Sequence, residues 1–223
     1  MHAADLLLPL MQRFDRPPIL VGYCLGGTIA IAGAALMPCA AVATIAAPWN
    51  FQAYPDQFKD QTHQAWTAAE PLCRNLGVMP IEVLQQGFWS LDPRRTIAKY
   101  AAFGDMAEDD PARAAFLLVE DWVNEGAPLT YAAGHDLIEN FYGADIPGRG
   151  QWNVAGRRID PAALDCPTLA IASSTDRIVP LDARPPAREE RVLAQGHVGM
   201  IVGRQARQTL WEPLSGWLRA QGG

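Results

Sequence analysis

"ILVGYCLGGTIAIAGAAL", residues 19–36, decides the reading of this 223-residue chain. It opens as a continuously apolar run of the kind that forms a strand buried on both faces. It then turns at Gly22-Tyr23-Cys24-Leu25-Gly26 and continues in small and aliphatic residues that suit a closely packed helix. Glycine, any residue, nucleophile, any residue, glycine is the pattern of a sharp strand-to-helix turn whose central residue takes a strained backbone conformation. The flanking glycines keep side chains from colliding across the turn. Such a turn exposes Cys24 at the carboxyl edge of a sheet and at a helix N-terminus, whose dipole favours a thiolate. It also aims the Leu25 N–H at any oxyanion formed there. The same spacing would serve a tight turn around a packed cysteine; the strand before it and the helix after it supply the context a nucleophile needs.

Outward from this turn, three further runs read as buried parallel strands: "AVATIAAP" (41–48), "PTLAIAS" (167–173) and "ERVLAQ" (190–195). Helices separate them. Residues 4–14 place Leu6, Leu7, Leu10, Met11 and Phe14 on one face, residues 25–37 follow the turn, and the last segment brings Leu210, Trp211, Leu214, Trp217 and Leu218 to one side despite Pro213. Alternation of strands and helices predicts an α/β sheet. The interval 49–160 departs from it, with no convincing strand and several helical patterns. In one, Ile81, Leu84, Phe88 and Leu91 share a stripe; another has Asp110 as N-cap, Pro111 at the first position and Gly126 as its stop. The expected division is therefore a core of residues 1–48 and 161–223 with a helical cap inserted at 49–160, Trp122 and Tyr142 falling in the core of that cap or, alternatively, lining a substrate pocket. "PGRG" (147–150) marks the loop back to the sheet.

Composition narrows the function. Net charge is -6 and there is no basic run, which leaves nucleic acid without an electrostatic footing. The N-terminus lacks the features of a secretory signal and no apolar run approaches a membrane span, so the expectation is a soluble cytoplasmic protein. Cys24, Cys39, Cys73 and Cys166 have neither C-x-x-C spacing nor neighbouring histidine pairs, which argues against zinc and against a disulfide framework. Cys39, Cys73 and Cys166 read as small hydrophobes.

A cysteine nucleophile needs a base, and the base an orienting carboxylate. "TLAIASSTDRIVP" ends a strand at Ser173 and offers Asp176 in the loop beyond. "VLAQGHVGM" offers His197 after the last strand, where Gly196 and Gly199 permit a tight loop. Alone, Asp176 reads as a turn residue and His197 as a surface histidine. Together with Cys24 they arrive in the order nucleophile, acid, histidine, each at a strand end. His2, His63 and His135 lie outside any such setting, the last two in helical patterns that predict exposure.

These residues resemble the polyhydroxyalkanoate synthases, enzymes of the α/β-hydrolase fold that polymerise hydroxyacyl-CoA thioesters on a catalytic cysteine. "GYCLGGT" resembles their modified lipase box, "STDRIVP" their D-[H/x]-I-V-P segment and "GHVGM" their glycine-histidine-glycine segment, and the similarity spans about residues 18–203. The resemblance implies ping-pong acyl transfer: Cys24 attacks the thioester, His197 moves the proton, Asp176 orients His197, and no metal or dissociable cofactor takes part. It implies a hydroxyacyl-CoA substrate, and a homodimer, a synthase subunit or a polymer granule surface as possible partners; a thioesterase or esterase of the same fold, or an inactive domain that binds a synthase, are the alternatives. Any grip on CoA would fall to local arginines such as Arg94, Arg95, Arg157 or Arg158. Two departures stand out: Arg177 follows Asp176 where many relatives have histidine, and the chain starts one helix before the nucleophile strand. The fold ordinarily has about four earlier strands, the loop after the third supplying a second oxyanion N–H. The expectation is an N-terminally incomplete α/β-hydrolase fold, a fragment or a chain completed by a partner, with the nucleophile strand as an exposed apolar edge.

Overall fold

All four expected strands form in the computed structural model, which describes residues 3–91 and 93–222. His2, and the side chains of Phe88, Leu91 and Arg95, lie outside the described residues. Strands β1 (Ile19–Tyr23), β2 (Ala41–Ile45), β3 (Thr168–Ser173) and β4 (Glu189–Leu193) make one parallel sheet in the order β1-β2-β3-β4. The register sets Gly22 against Thr44 and Ala43 against Leu169. β2 and β3 are buried along their whole length, which is why their sequences carry no polar alternation, whereas β4, expected to be buried, is an edge with Glu189, Glu190 and Val192 exposed. β1 is an edge, as expected. Leu20 and Gly22 are buried there, and exposure concentrates on Val21, at 47%.

Each face of the sheet has its own core. Met11, Leu20, Ile31, Val42 and Ile159 pack together on one side; Ala43, Ile45, Leu169, Ile171, Met200, Leu210, Leu214 and Trp217 pack on the other. The two sets interleave along β2, Val42 facing one way and Ala43 the other, as the two-residue strand period requires. Each fully buried side chain of this size is worth about 1.5–3 kcal/mol relative to exposure. The elbow helix Leu25–Leu36 covers the first face with Ala30, Ile31, Ala32 and Ala35, small residues that let it sit close to the sheet.

Two terminal helices depart from their sequence patterns. The leading one runs Ala3–Leu7 and Leu8–Met11, and the last segment divides into Arg207–Trp211 and Glu212–Gln221. In both, the first part is wound more loosely than an α-helix, which shifts the phase of a 3.6-residue stripe. Leu6, Leu10 and Phe14 are therefore exposed while Met11 is buried. Trp211 is likewise exposed, its indole N–H donating to the Ile201 carbonyl at 2.9 Å.

The chain divides into two compact units, Met1–Asp56 with Glu139–Gly223, and Gln57–Ile138. The second lies inside the interval 49–160 read as the cap, and it contains the helices Ile81–Leu91, Pro93–Gly104 and Pro111–Asn124 with most of Asp56–Leu76. Asp110 caps its helix as expected, accepting from Ala112 N–H at 2.8 Å. Trp66, Cys73 and Met79 are buried, and Met79 belongs to a two-residue antiparallel ladder, Val78–Met79 with Leu129–Thr130, too short to read in sequence. Trp122 is not core: it is exposed together with Leu117, Leu118 and Val123, and the helix carrying them buries no side chain fully. His135 is half-buried beside the rings of Trp66 and Tyr131, not exposed. A second short ladder, Asn153–Val154 with Arg157–Arg158, turns at Ala155 and Gly156, both at positive φ as a primed hairpin turn requires. Among the described residues no helix is long and apolar enough to cross a membrane.

Candidate active site

Cys24 stands between β1 and the elbow helix at φ 53° and ψ −131°, a conformation L-residues adopt only when their surroundings enforce it, at a cost of about 1–3 kcal/mol. The enforcement is visible. The Cys24 N–H donates to the Ile45 carbonyl at 2.9 Å, and its own carbonyl accepts from Gly27 N–H at 2.9 Å. A Cβ on Gly22 would lie 2.4 Å from the Gly26 oxygen, and one on Gly27 would lie 2.5 Å from the Ala47 methyl. A Cβ on Gly26 would meet nothing within 4 Å. The crowding expected at Gly22 and Gly26 thus falls on Gly22 and Gly27. Leu25 opens the helix, so its N–H has no carbonyl one turn earlier to bond.

Asp176 and His197 meet across the ends of β3 and β4. Asp176 Oδ1 accepts from the N–H groups of Ile178 at 2.8 Å and Val179 at 3.0 Å, while Oδ2 lies 2.7 Å from His197 Nδ1. Both carboxylate oxygens are thereby held, and the Asp176 side chain is 0% exposed. The loop that carries it is tied down by Thr175, whose hydroxyl donates to the Ala194 carbonyl at 2.8 Å. Burial alone pushes the His197 imidazole down; hydrogen bonds to Asp176 and to the Cys24 thiol, with the charges of both, outweigh it and hold the pKa at about 9. His197 thus has a carboxylate on Nδ1 and the Cys24 thiol among its partners. Neither Gly196 nor Gly199 is crowded or at positive φ, so the loop itself does not demand glycine there.

Three features of the site lie outside the expected triad. Tyr23, adjacent to the nucleophile, donates its hydroxyl to the His197 carbonyl at 3.2 Å and sets its ring 4.8 Å from the imidazole. Its pKa is pushed upward by burial and then by the charges of Cys24 and Asp176. Tyr54 and Tyr142 pack edge to face at 5.1 Å; Tyr54 stacks on Phe51 and Tyr142 meets Phe51 edge to face. Burial pushes both hydroxyls up, the charge of Cys24 adding to each, and Tyr142 falls in the unit that holds the sheet, not among the helices of the other unit. Asp145 is buried at φ 50°, accepting from Phe51 N–H at 2.8 Å and Gly148 N–H at 3.2 Å; its role is to brace the aromatic loop. The position of Tyr23 inside the motif was the available signal for it. Nothing local marked Phe51 or Asp145, which meet across 94 residues.

Arg157 and Arg158 are elsewhere. They line a cavity with Cys39 and Cys166, at the entrances of β2 and β3 and so at the opposite end of the parallel sheet from Cys24. Arg94 is exposed in the helical unit. Among the described residues, no group of three or more His, Cys, Asp or Glu could hold a metal ion.

A parallel sheet wrapped by helices, with a sharp strand-to-helix turn at Cys24 and the Asp176–His197 pair beyond later strands, fits the α/β-hydrolase fold, and solved structures bear this out. The monoacylglycerol lipase of Paleococcus ferrophilus superposes with a TM-score of 0.56 at 11% identity, covering 99% of this chain and 75% of the lipase. Est816, an N-acyl homoserine lactone degrading enzyme, gives 0.54 at 17% identity, covering 97% and 73%. No family model matches the chain. Curated relatives carry the name poly(3-hydroxyalkanoate) polymerase subunit PhaC: that of Haloferax mediterranei is 24% identical over 209 residues, 89% of this chain and 42% of the relative. That of Thiocystis violacea is 27% identical over 213 residues, 89% of this chain and 59% of the relative. The chain spans about half the length of the curated relatives it matches.

Proposed function

We propose that this chain carries out polyhydroxyalkanoate synthase-like acyl transfer, from a hydroxyacyl-CoA thioester to Cys24 and then to a hydroxyl group. The observation that carries the reading is the elbow thiol beside an imidazole whose Nδ1 is held by a buried carboxylate. The names of the curated relatives give it its substrate class.

In the first half-reaction the Cys24 sulfur, its proton passed to His197, bonds to the acyl carbon. The carbon–sulfur bond to CoA breaks, and CoA leaves with the proton from His197. The oxyanion of the intermediate faces the Leu25 N–H at the helix N-terminus. In the second half-reaction His197 takes the proton of the incoming hydroxyl, the oxygen bonds to the acyl carbon, and the Cys24 thiolate is released. Asp176 keeps Nδ1 protonated and the reactive Nε2 facing the thiol throughout. Thioester exchange between two thiols is nearly isoenergetic, which keeps the acyl group transferable. Cysteine suits that chemistry better than serine.

The test is CoA release from 3-hydroxybutyryl-CoA by the purified chain, beside a Cys24→Ala variant of matching circular dichroism. Release that needs Cys24 and yields ester-linked oligomers supports the proposal. Cys24-dependent release yielding free hydroxy acid turns the reading to a thioesterase, and a folded chain that neither releases CoA nor becomes acylated turns it to a binding domain.

A further inference from the structure

At the entrances of β2 and β3, away from the proposed site, the sulfurs of Cys39 and Cys166 lie 3.3 Å apart. The placement follows from the sheet. β2 and β3 are neighbours, Val42 N–H donates to the Pro167 carbonyl at 2.9 Å, and each cysteine stands two residues before its strand, Cys39 before Ala40-Ala41 and Cys166 before Pro167-Thr168. Both are half-buried and both line a cavity of about 340 Å³ that opens to solvent, so a small molecule can reach them. Residues 127 apart in sequence are thus presented to each other on a rigid frame.

We infer that Cys39 and Cys166 are an oxidation site that closes to an intrachain disulfide when a peroxide is present. The sulfurs must approach by little more than an ångström to reach the covalent separation of about 2.0 Å. Burial first, then the hydrogen bond to Cys166, pushes the Cys39 thiol up to about 12, and across the 3.3 Å contact either thiol can be the donor. The step balances as follows. One thiol of the pair and hydrogen peroxide give a sulfenic acid and one water; the sulfur of the other then displaces the sulfenic oxygen, which leaves with that thiol's proton as a second water. Two thiols lose two electrons and the peroxide gains them. The bond would close a ring around residues 40–165, enclosing the whole helical unit, and would tie the two central strands at the end remote from Cys24. In a reducing compartment the pair rests as two thiols and closes only under oxidant.

The experiment is peptide mapping of the full chain after exposure to dilute hydrogen peroxide and alkylation of remaining thiols, without reduction. The expected result is one peptide pair joining Cys39 to Cys166, with Cys73 alkylated, and its loss on treatment with a reducing dithiol. In a Cys39→Ser variant, Cys166 should instead stop at sulfenic or sulfinic acid. Recovery of Cys39 as the alkylated thiol while Cys166 of the unaltered chain runs on to sulfinic acid would overturn the inference, as would recovery of both as alkylated thiols under conditions that oxidise Cys24. The measurement is independent of whether Cys24 transfers acyl groups, since the Cys24→Ala chain should form the same bond.

Discussion

The two ends of one parallel sheet hold their cysteines in opposite ways. At the carboxyl ends, Cys24 sits on a strained turn at a helix N-terminus, with an imidazole among its partners. At the entrances, Cys39 and Cys166 have ordinary roles before their strands and meet each other, and burial holds the Cys39 proton on. The lesson is that a thiol takes its chemistry from its neighbours. A charged partner and a helix dipole favour acyl transfer, whereas a second thiol at contact distance favours only oxidation. The largest expected effect tests this contrast directly. Cys24→Ala should lower CoA release by about 10³-fold or more, while Cys39→Ala should leave it within about twofold, as expected for a distant, uncoupled site. Comparable losses from the two would erase the distinction.

The two buried carboxylates of the sheet unit give a second contrast. Asp176→Asn keeps the shape but offers Nδ1 an amide, so turnover should fall by about 10²–10⁴, a larger effect than any loss of stability. Asp145→Asn removes a charge that accepts from Phe51 and Gly148 N–H, so the loss should appear in thermal stability first. Thermal melts set beside turnover for the two variants decide it, and an inverted pattern would move the orienting role to Asp145.

How far the sequence carried the reading follows from where each signal was stored. β2 and β3 were legible because burial on both faces leaves an unbroken apolar run, and the elbow was legible because its geometry restricts the residues around it. The glycine assignment was half right: the pattern names Gly22 and Gly26, but close approach of the helix to β2 puts the second constraint on Gly27, which only the packing against Ala47 reveals. Gly22→Ala should therefore destabilise the fold by about 1–3 kcal/mol or more, and Gly26→Ala should be neutral or slightly stabilising, through helix propensity. Denaturant midpoints with an unchanged slope would measure both. Trp122 and Trp211 were misplaced because periodicity reports a face without saying what covers it, or whether the winding holds its period. Tyr142 was assigned to the wrong region because its partners, Phe51 and Tyr54, are remote in sequence.

A smaller effect concerns Tyr23, which joins the nucleophile strand to the histidine loop through the His197 carbonyl. Tyr23→Phe keeps the ring beside the imidazole and removes the donor, so kcat should fall about fivefold to tenfold with KM little changed, as one neutral hydrogen bond predicts. An equal change in KM would make Tyr23 part of substrate binding instead of a positioning residue.

The finest test reads the proton on His197. Its folded pKa of about 9 lies above the ordinary 6.5, so the stability it contributes is fully present below pH 6.5 and is lost as pH rises through 9. Two of the influences that raise it come from Cys24, the hydrogen bond and the charge. Cys24→Ala removes both and leaves Asp176 alone against burial, so the imidazole midpoint followed by NMR should move down from about 9. Acylation removes the same two influences. In the acyl form the imidazole should accordingly lose its proton at lower pH than in the free protein, which suits it to take the proton of the incoming hydroxyl in the second half-reaction. Cys39→Ala, at the other end of the sheet, should leave the midpoint where it is; a shift there equal to that in Cys24→Ala would mean that the imidazole senses the unit as a whole and not its nucleophile.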